Sequence, residues 1–263
     1  MNKWRFAGSS VIGQAHILQK TECQDRFICT TIETASDGEV LIAVVADGAG
    51  STSDGQTGAA AACETFAAQV EQFLRSGNAS VGSLNEEFGR LWIRFFQTRI
   101  RSIAERERKE IRDFATTLVG AVAGDKSTAF FQVGDGGAVF SIDGKPESYR
   151  FGIEPVESEY VNTTDFLTDE TAEQNLRFAL LKERIEDLIL FSDGIFAVAV
   201  DYRKNRPHEP FLMPMIAPLR RGGPINGLDE KLASFLASPK INEKTDDDKT
   251  LILASRYETE NSA

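Results

Sequence analysis

Five aspartates stand where apolar runs begin or end: Asp47 after VLIAVVA, Asp135 after AFFQVG, Asp193 after LILFS, and Asp247 with Asp248 just before TLILA. Asp25, in CQDRF, opens another β-rich run. Asp-Gly is a common turn pair, and Asp37-Gly38 and Asp143-Gly144 read as hairpin turns between strand-like segments. The other aspartates differ in setting, because a turn needs no long buried strand delivering a carboxylate to one edge of a core. Carboxylates converging without equal numbers of Lys or Arg repel one another, and a cation resolves that repulsion. Oxygen donors without His or Cys select a hard ion, and a few carboxylates that leave room for water suit Mg²⁺ or Mn²⁺ better than a calcium cage or zinc.

Two such ions a few ångströms apart bridge one water, lower its pKa toward neutrality and hold a phosphoryl group for in-line attack. Hydrolysis of that kind needs no protein nucleophile, and the chain lacks the usual ones. Six positions after Cys23, Cys29 and Cys63 stand Cys29, Ala35 and Gln69, never the Arg of a thiol phosphatase loop, and there is no HExxH or GxSxG. GSTSDGQT, Gly50 to Thr57, follows a buried strand as a P-loop does, but Gln56 stands where the phosphate-binding Lys belongs. Its small residues read instead as a helix start packed beside the acidic edge.

The elements that must position these groups follow from hydrophobic period. Strands are predicted over Trp4–Ile12, Phe27–Thr34, Val40–Ala46, Thr117–Ala123, Ala129–Val133, Ala138–Ile142, Asp187–Ser192 and Thr250–Ala254. Ala59, Ala62, Phe66, Val70, Phe73 and Leu74 recur at helical spacing up to Gly77. A second long helix is predicted from a Ser83/Glu86 capping box, with Leu84, Phe88, Leu91, Phe95 and Ile103 as its apolar stripe. Five of eight prolines lie between Pro207 and Pro224, which predicts a docked loop; Pro224 then opens a helix carrying Leu228, Leu232, Phe235 and Leu236. Glu154–Arg184 is mixed and polar and reads as short helices or a flap. The expectation is a single α+β domain over residues 1–263.

The acidic residues occur in the order of the metal-dependent protein phosphatases of the 2C type, which the sequence resembles from about Trp4 to Ala254. Four blocks carry the resemblance: TECQDRF, VVADGAGS, QVGDGG, and FSDGI with TDDDKTLILA. GQAHILQKTECQD and ADGAGSTSDGQTGA are most similar to a bacterial subgroup. The resemblance implies an αββα sandwich, two antiparallel β-sheets flanked by helices with the metals at one end, and hydrolysis of phosphoserine and phosphothreonine in proteins through a metal-bridged water. It implies two Mn²⁺ or Mg²⁺ ions with room for a third. Asp47 would bridge them with the Gly48 carbonyl, Asp193 and Asp247 would hold one ion, Asp25 would act on it directly or through water, and Asp135 would share a third. Asp246 or Asp248 can exchange roles with Asp247, since three consecutive aspartates leave the register open. Partners implied are a phosphorylated protein and a Ser/Thr kinase acting beside the phosphatase, and the flap is expected to influence substrate choice.

Two departures bear on catalysis. Lys20 stands where the family usually carries a phosphate-binding Arg, keeping the charge but losing the bidentate fork. Ala49 follows Asp47-Gly48 where many relatives have a proton-donating His. His16 and His208 are the only histidines, and His16, in the segment leading to Lys20, is the candidate for phosphate contact or proton donation. The same departures motivate a second reading, a weak phosphatase-like module that binds a phosphoprotein or kinase.

Composition fits this picture. Among 263 residues, 29 Lys+Arg oppose 40 Asp+Glu, a net charge of −11, which weighs against binding a phosphate backbone. The longest apolar run, Val40 to Ala46, is far short of the ~20 residues that span a bilayer, no signal pattern opens the chain, and three cysteines support neither a disulfide framework nor a zinc site. The expectation is a cytoplasmic protein with no membrane or nucleic-acid partner.

Overall fold

Runs such as VLIAVVA stay apolar throughout because both faces of their strands are covered. In the computed structural model, residues 2–77, 79–155, 164–222 and 224–258 are described. In chain order these are β1 (Asn2–Val11), α1 (Gln14–Gln19), β2 (Arg26–Thr34), β3 (Gly38–Ala46), α2 (Gly55–Arg75), α3 (Glu86–Glu107), β4 (Leu118–Ala123), β5 (Thr128–Val133), β6 (Gly137–Ser141), β7 (Arg150–Phe151) and β8 (Arg177–Leu181). There follow β9 (Asp187–Phe191), α4 (Phe196–Ala199), β10 (Val200–Asp201), β11 (Arg206–Pro207), α5 (Glu209–Arg220), α6 (Leu228–Leu236), α7 (Pro239–Asn242) and β12 (Lys249–Glu258). One sheet has the order β1-β12-β9-β6-β7 and the other β2-β3-β4-β5-β8, with every pairing antiparallel.

Alternation along the strands builds three apolar layers. On β3, Val40, Ile42, Val44 and Ala46 face α2 and α3, where they meet Phe66, Trp92 and Phe96. Leu41, Ala43 and Val45 face the second sheet and meet Leu188, Leu190 and Ile252. From that sheet, Ile189, Phe191, Leu251 and Leu253 point outward to Leu212, Ile216 and Leu236 of α5 and α6. The result is the expected αββα sandwich.

Three local readings need correction. The second long helix is capped by Asn85, whose Oδ1 accepts the Phe88 N–H at 2.9 Å; Ser83 closes a short 3₁₀ turn instead. Its buried face is Gly89, Trp92, Ile93, Phe96, Ile100 and Ala104, leaving Leu91 and Phe95 each 46% exposed. Gly89 and Trp92 set this rotation, because Gly89 lies against Leu176 and Phe131 and Trp92 meets the Phe66 ring edge-on. The proline-rich stretch is helical, not a loop. Pro210, Pro214 and Pro218 recur every four residues along the exposed side of α5, so the hydrogen bonds they forfeit fall on one face while Leu212, Ile216 and Leu219 are buried on the other.

Of the segment 154–184, residues 156–163 lie outside the described residues; 177–181 form the edge strand β8, paired with β5. No helix among the described residues is long and apolar enough to cross a membrane.

Candidate active site

Antiparallel pairing brings the aspartates together. Arg26 pairs with Ala46, so Asp25, just before β2, and Asp47, just after β3, meet at one end. Leu251 pairs with Phe191, so Asp193, after β9, meets the residues that precede β12 at the same end of the neighbouring sheet. Asp47 lies within hydrogen-bonding reach of both Asp25 and Asp193. The structure therefore brings these three together from both sheets.

Asp25 is 0% exposed. Its Oδ2 accepts the Ser192 hydroxyl at 2.7 Å, while Ser192 Oγ accepts the Thr250 N–H at 3.0 Å. This bond ties the last residue before Asp193 to β12. Burial pushes the Asp25 carboxyl up to about 7 against the bonds from Ser192 and Thr250. Burial, opposed by the bond with Asp47 and aided by the charges of Asp247 and Asp135, pushes Asp193 to about 6. Asp47, buried between two like charges, is raised well above the ordinary carboxylate range.

No Lys or Arg among the described residues forms an ion pair with Asp25, Asp47, Asp193 or Asp247. The buried Lys249 turns its ammonium to Asn242 Oδ1 at 3.1 Å and to the Asp247 carbonyl at 3.2 Å instead. Asp25 Oδ1 and Asp193 Oδ1 are buried with no hydrogen-bond partner among the described residues. Two orphaned carboxylate oxygens beside a third carboxylate are the donors a hard divalent ion takes, so the residues fit such an ion. Their contacts are pairwise, with Asp47 in the middle, and among the described residues no group of three or more His, Cys, Asp or Glu is arranged to hold an ion as it stands.

The rest of the predicted set is distributed around this core. The Gly48 N–H donates to the Gln24 carbonyl at 3.3 Å, and its own carbonyl accepts no hydrogen bond from the described residues. A side chain at Gly48 would overlap the Gly55 backbone, so glycine lets the start of α2 close on the site. Asp247 stands near Asp193 and His16 by their mutual electrostatic effects. Its Oδ1 accepts the Asp248 N–H at 2.8 Å, and burial raises its pKa. Asp135 is exposed at the rim, accepting the Thr164 hydroxyl at 2.7 Å.

Asp248 is otherwise engaged. Its two oxygens accept the Gly13 and Gln24 N–H groups, each at 2.6 Å, and His16 Nδ1 lies 2.9 Å from Oδ2. It staples α1 and the Asp25 segment to β12, while Asp246 is exposed. His16 is buried on α1, with Nε2 turned toward Gly50. Lys20 caps α1 in the left-handed region (φ 58°) with an exposed side chain, and it has no hydrogen bond or ion pair from that side chain among the described residues. Neither His16 nor Lys20 touches the three central carboxylates. Sequence reasoning missed Ser192, Thr250 and the staple made by Asp248. The Ser immediately before Asp193 was the one available signal.

The protein phosphatase 2C family model matches residues 12–237. A curated relative, Serine/threonine-protein phosphatase 3 of Escherichia coli (strain K12), is 35% identical over 255 residues, covering 95% of this chain and 98% of that protein. The chain therefore belongs to the protein phosphatase 2C family, as a serine/threonine phosphatase of bacterial type, and divalent-metal dependence is general to that family. Its fold is similar to the serine/threonine phosphatase Stp1 from Staphylococcus aureus (TM-score 0.63, 17% identity, 97% of this chain and 95% of that one). It is likewise similar to PppA from Pseudomonas aeruginosa (TM-score 0.61, 16% identity, 96% of this chain and 97% of that one).

Proposed function

We propose that the protein hydrolyses phosphoserine and phosphothreonine in protein substrates at the end of the sandwich where Asp25, Asp47 and Asp193 meet, using two Mn²⁺ or Mg²⁺ ions with a possible third. Asp25, Asp47, the Gly48 carbonyl, Asp193 and Asp247 would hold the pair, and Asp135 at the rim would serve the third. When bound, the ions supply a bridging water acidic enough to attack phosphorus near neutral pH. The chain's own part is positional. Ser192 fixes the Asp25 carboxylate, Asp47 spans its two neighbours, and Asp248 locks α1 beside them.

Lys20, free at the surface, is assigned to phosphate attraction. His16, with Nε2 facing Gly50, is assigned to protonating the leaving oxygen. We assign the 154–184 segment, which follows Asp135 in the chain and ends in β8 and the turn after it, to substrate choice, and a kinase that writes the phosphate is the implied partner. The observation that carries the reading is the pair of buried, unpartnered oxygens on Asp25 and Asp193, with no Lys or Arg among the described residues ion-paired to either carboxylate.

The test is hydrolysis of a phosphothreonine peptide and p-nitrophenyl phosphate by purified protein with Mn²⁺, Mg²⁺ or EDTA. Turnover with metal, abolished by EDTA, supports the reading. Tight binding of the phosphopeptide without turnover in any metal supports the alternative, a phosphoprotein-binding module, which Lys20 in place of Arg and Ala49 in place of His favour.

A further inference from the structure

Just beyond Asp193 the chain builds a short hairpin that the catalytic reading does not use. Val200 of β10 pairs with Pro207 of β11, and Asp201 with Arg206. The connection is held by its own bonds: the Arg203 N–H donates to Asp201 Oδ1 at 3.2 Å and the Lys204 N–H to the Asp201 carbonyl at 3.1 Å. At the base, the His208 N–H donates to the Ala199 carbonyl at 2.7 Å, and its ring Nδ1 lies 2.9 Å from the Val198 carbonyl.

This hairpin concentrates positive charge in a chain of net charge −11. Arg203, Lys204 and Arg206 are all exposed. Lys204 makes one loose contact, 4.0 Å to Asp201, and the side chains of Arg203 and Arg206 form no hydrogen bond or ion pair with the described residues. Unpaired guanidinium forks match carboxylate and phosphate oxygens bidentately.

The hairpin is tied to the carboxylate site through two rings. Tyr202, 67% exposed, lies against Phe196 with centroids 6.3 Å apart. Phe196 follows Asp193 by three residues, within one helical turn, and its other neighbour is the Phe191 ring at 5.5 Å. Consistent with this nearness, partial desolvation and then the Asp193 charge raise the Tyr202 hydroxyl. An extended peptide advances about 3.3 Å per residue, so a flank of a few residues reaches from the Asp193 turn to the basic tip.

We infer that the β10–β11 hairpin is a substrate-reading element that selects phosphoproteins bearing further anionic side chains, carboxylates or a second phosphate, a few residues from the phosphoresidue. The inference deepens the phosphatase reading above and rests on it for the identity of the substrate. Its physical logic is compensation: a chain of net charge −11 repels an acidic substrate, and cations placed on the approach restore attraction. The exposed Tyr202 ring offers the peptide an apolar surface between the two charges.

The test is kcat/KM for phosphothreonine peptides of equal length flanked by Glu and Asp, by Gln and Asn, or by a second phosphoserine. The wild type should favour the acidic over the neutral flank by about five- to tenfold at low salt, less at high salt. Arg203→Ala/Lys204→Ala/Arg206→Ala should bring that ratio close to one, and Arg203→Lys/Arg206→Lys, which keeps the charge but loses the fork, should keep only part of it. The phosphoserine arm shows whether carboxylate or phosphate is the preferred anion. Equal ratios for wild type and triple-alanine variant, or a wild-type preference for the neutral flank, would overturn the inference. If neither peptides nor p-nitrophenyl phosphate are turned over, the catalytic reading fails by itself. Fluorescence anisotropy of the same labelled peptides with wild type and triple variant then decides the hairpin alone.

Discussion

Strand β9 carries an aspartate at each end, and the two are provided for in opposite ways. Asp187, its first residue and 0% exposed, accepts the Tyr149 hydroxyl at 2.8 Å, Arg220 Nε at 3.1 Å and Arg220 Nη2. Arg220 in turn bonds the Tyr149 oxygen. Its charge is matched by a cation delivered from α5. Asp193, two residues past the last residue of β9, has Asp47 as its hydrogen-bonding side chain and a buried oxygen with no donor. Asp25 opposite repeats the pattern. A carboxylate that serves the fold is given its counter-ion or its hydrogen-bond donors by the chain, whereas three left facing one another cost folding free energy that an external cation recovers.

The widest separation should come from one substitution at each end. Asp47→Asn should lower Mn²⁺-dependent turnover on the order of a thousandfold while leaving the metal-free melting temperature unchanged or higher, because it removes a buried like charge. Arg220→Met should do the reverse. It strands Asp187 in the core and costs about 3–5 kcal/mol of stability, with turnover per folded molecule retained. Steady-state kinetics and thermal melts on both variants check the contrast, and loss of activity in Arg220→Met at full folding would break it.

The Asp193 end should also respond to pH. Unfolded aspartates titrate near 4, whereas burial in the fold pushes Asp193 up to about 6 and Asp25 up to about 7. Between pH 4 and 7 the folded chain therefore keeps protons that the unfolded chain has released, and stability falls as pH rises through that window. Metal-free protein should melt lower at pH 8 than at pH 5. Mn²⁺ at one fixed concentration, about a hundred times its dissociation constant at pH 5, should return about 2.7 kcal/mol at that pH, several degrees in melting temperature, with a larger gain at pH 8 because protons no longer compete for the oxygens. An equal metal shift at both pH values would count against the unpaired cluster as its origin.

The smallest effect should arise away from both ends. Asn85→Ala removes the N-cap of α3 and should cost about 1 kcal/mol with no change in Mn²⁺ response, a baseline for purely structural loss.

Much of the sandwich was legible because its strands are apolar on both faces and its hairpins announce themselves, Asp37-Gly38 among them. The positions of Asp25, Asp47 and Asp193 followed from strand ends, since antiparallel pairing leaves few ways to place them. What was not legible depended on three-dimensional partners. Nothing local distinguishes Asp248 from Asp247; only the Gly13 and Gln24 N–H groups, more than 220 residues earlier in the chain, commit one of them to the fold. The rotation of α3 depends on which rings meet Trp92, and the helix at 209–220 depends on prolines falling on one exposed side. Tyr202 gained meaning only when its ring was found against Phe196.

Calorimetric titration of Mn²⁺ into metal-free protein at pH 8, with Asp193→Asn and Asp187→Asn titrated in parallel, tests the asymmetry of β9 most directly. The account predicts binding of at least two ions to wild type, binding weakened at least tenfold in Asp193→Asn, and wild-type affinity in Asp187→Asn wherever it remains folded. Undiminished Mn²⁺ binding by Asp193→Asn, or no binding by wild type, would contradict it.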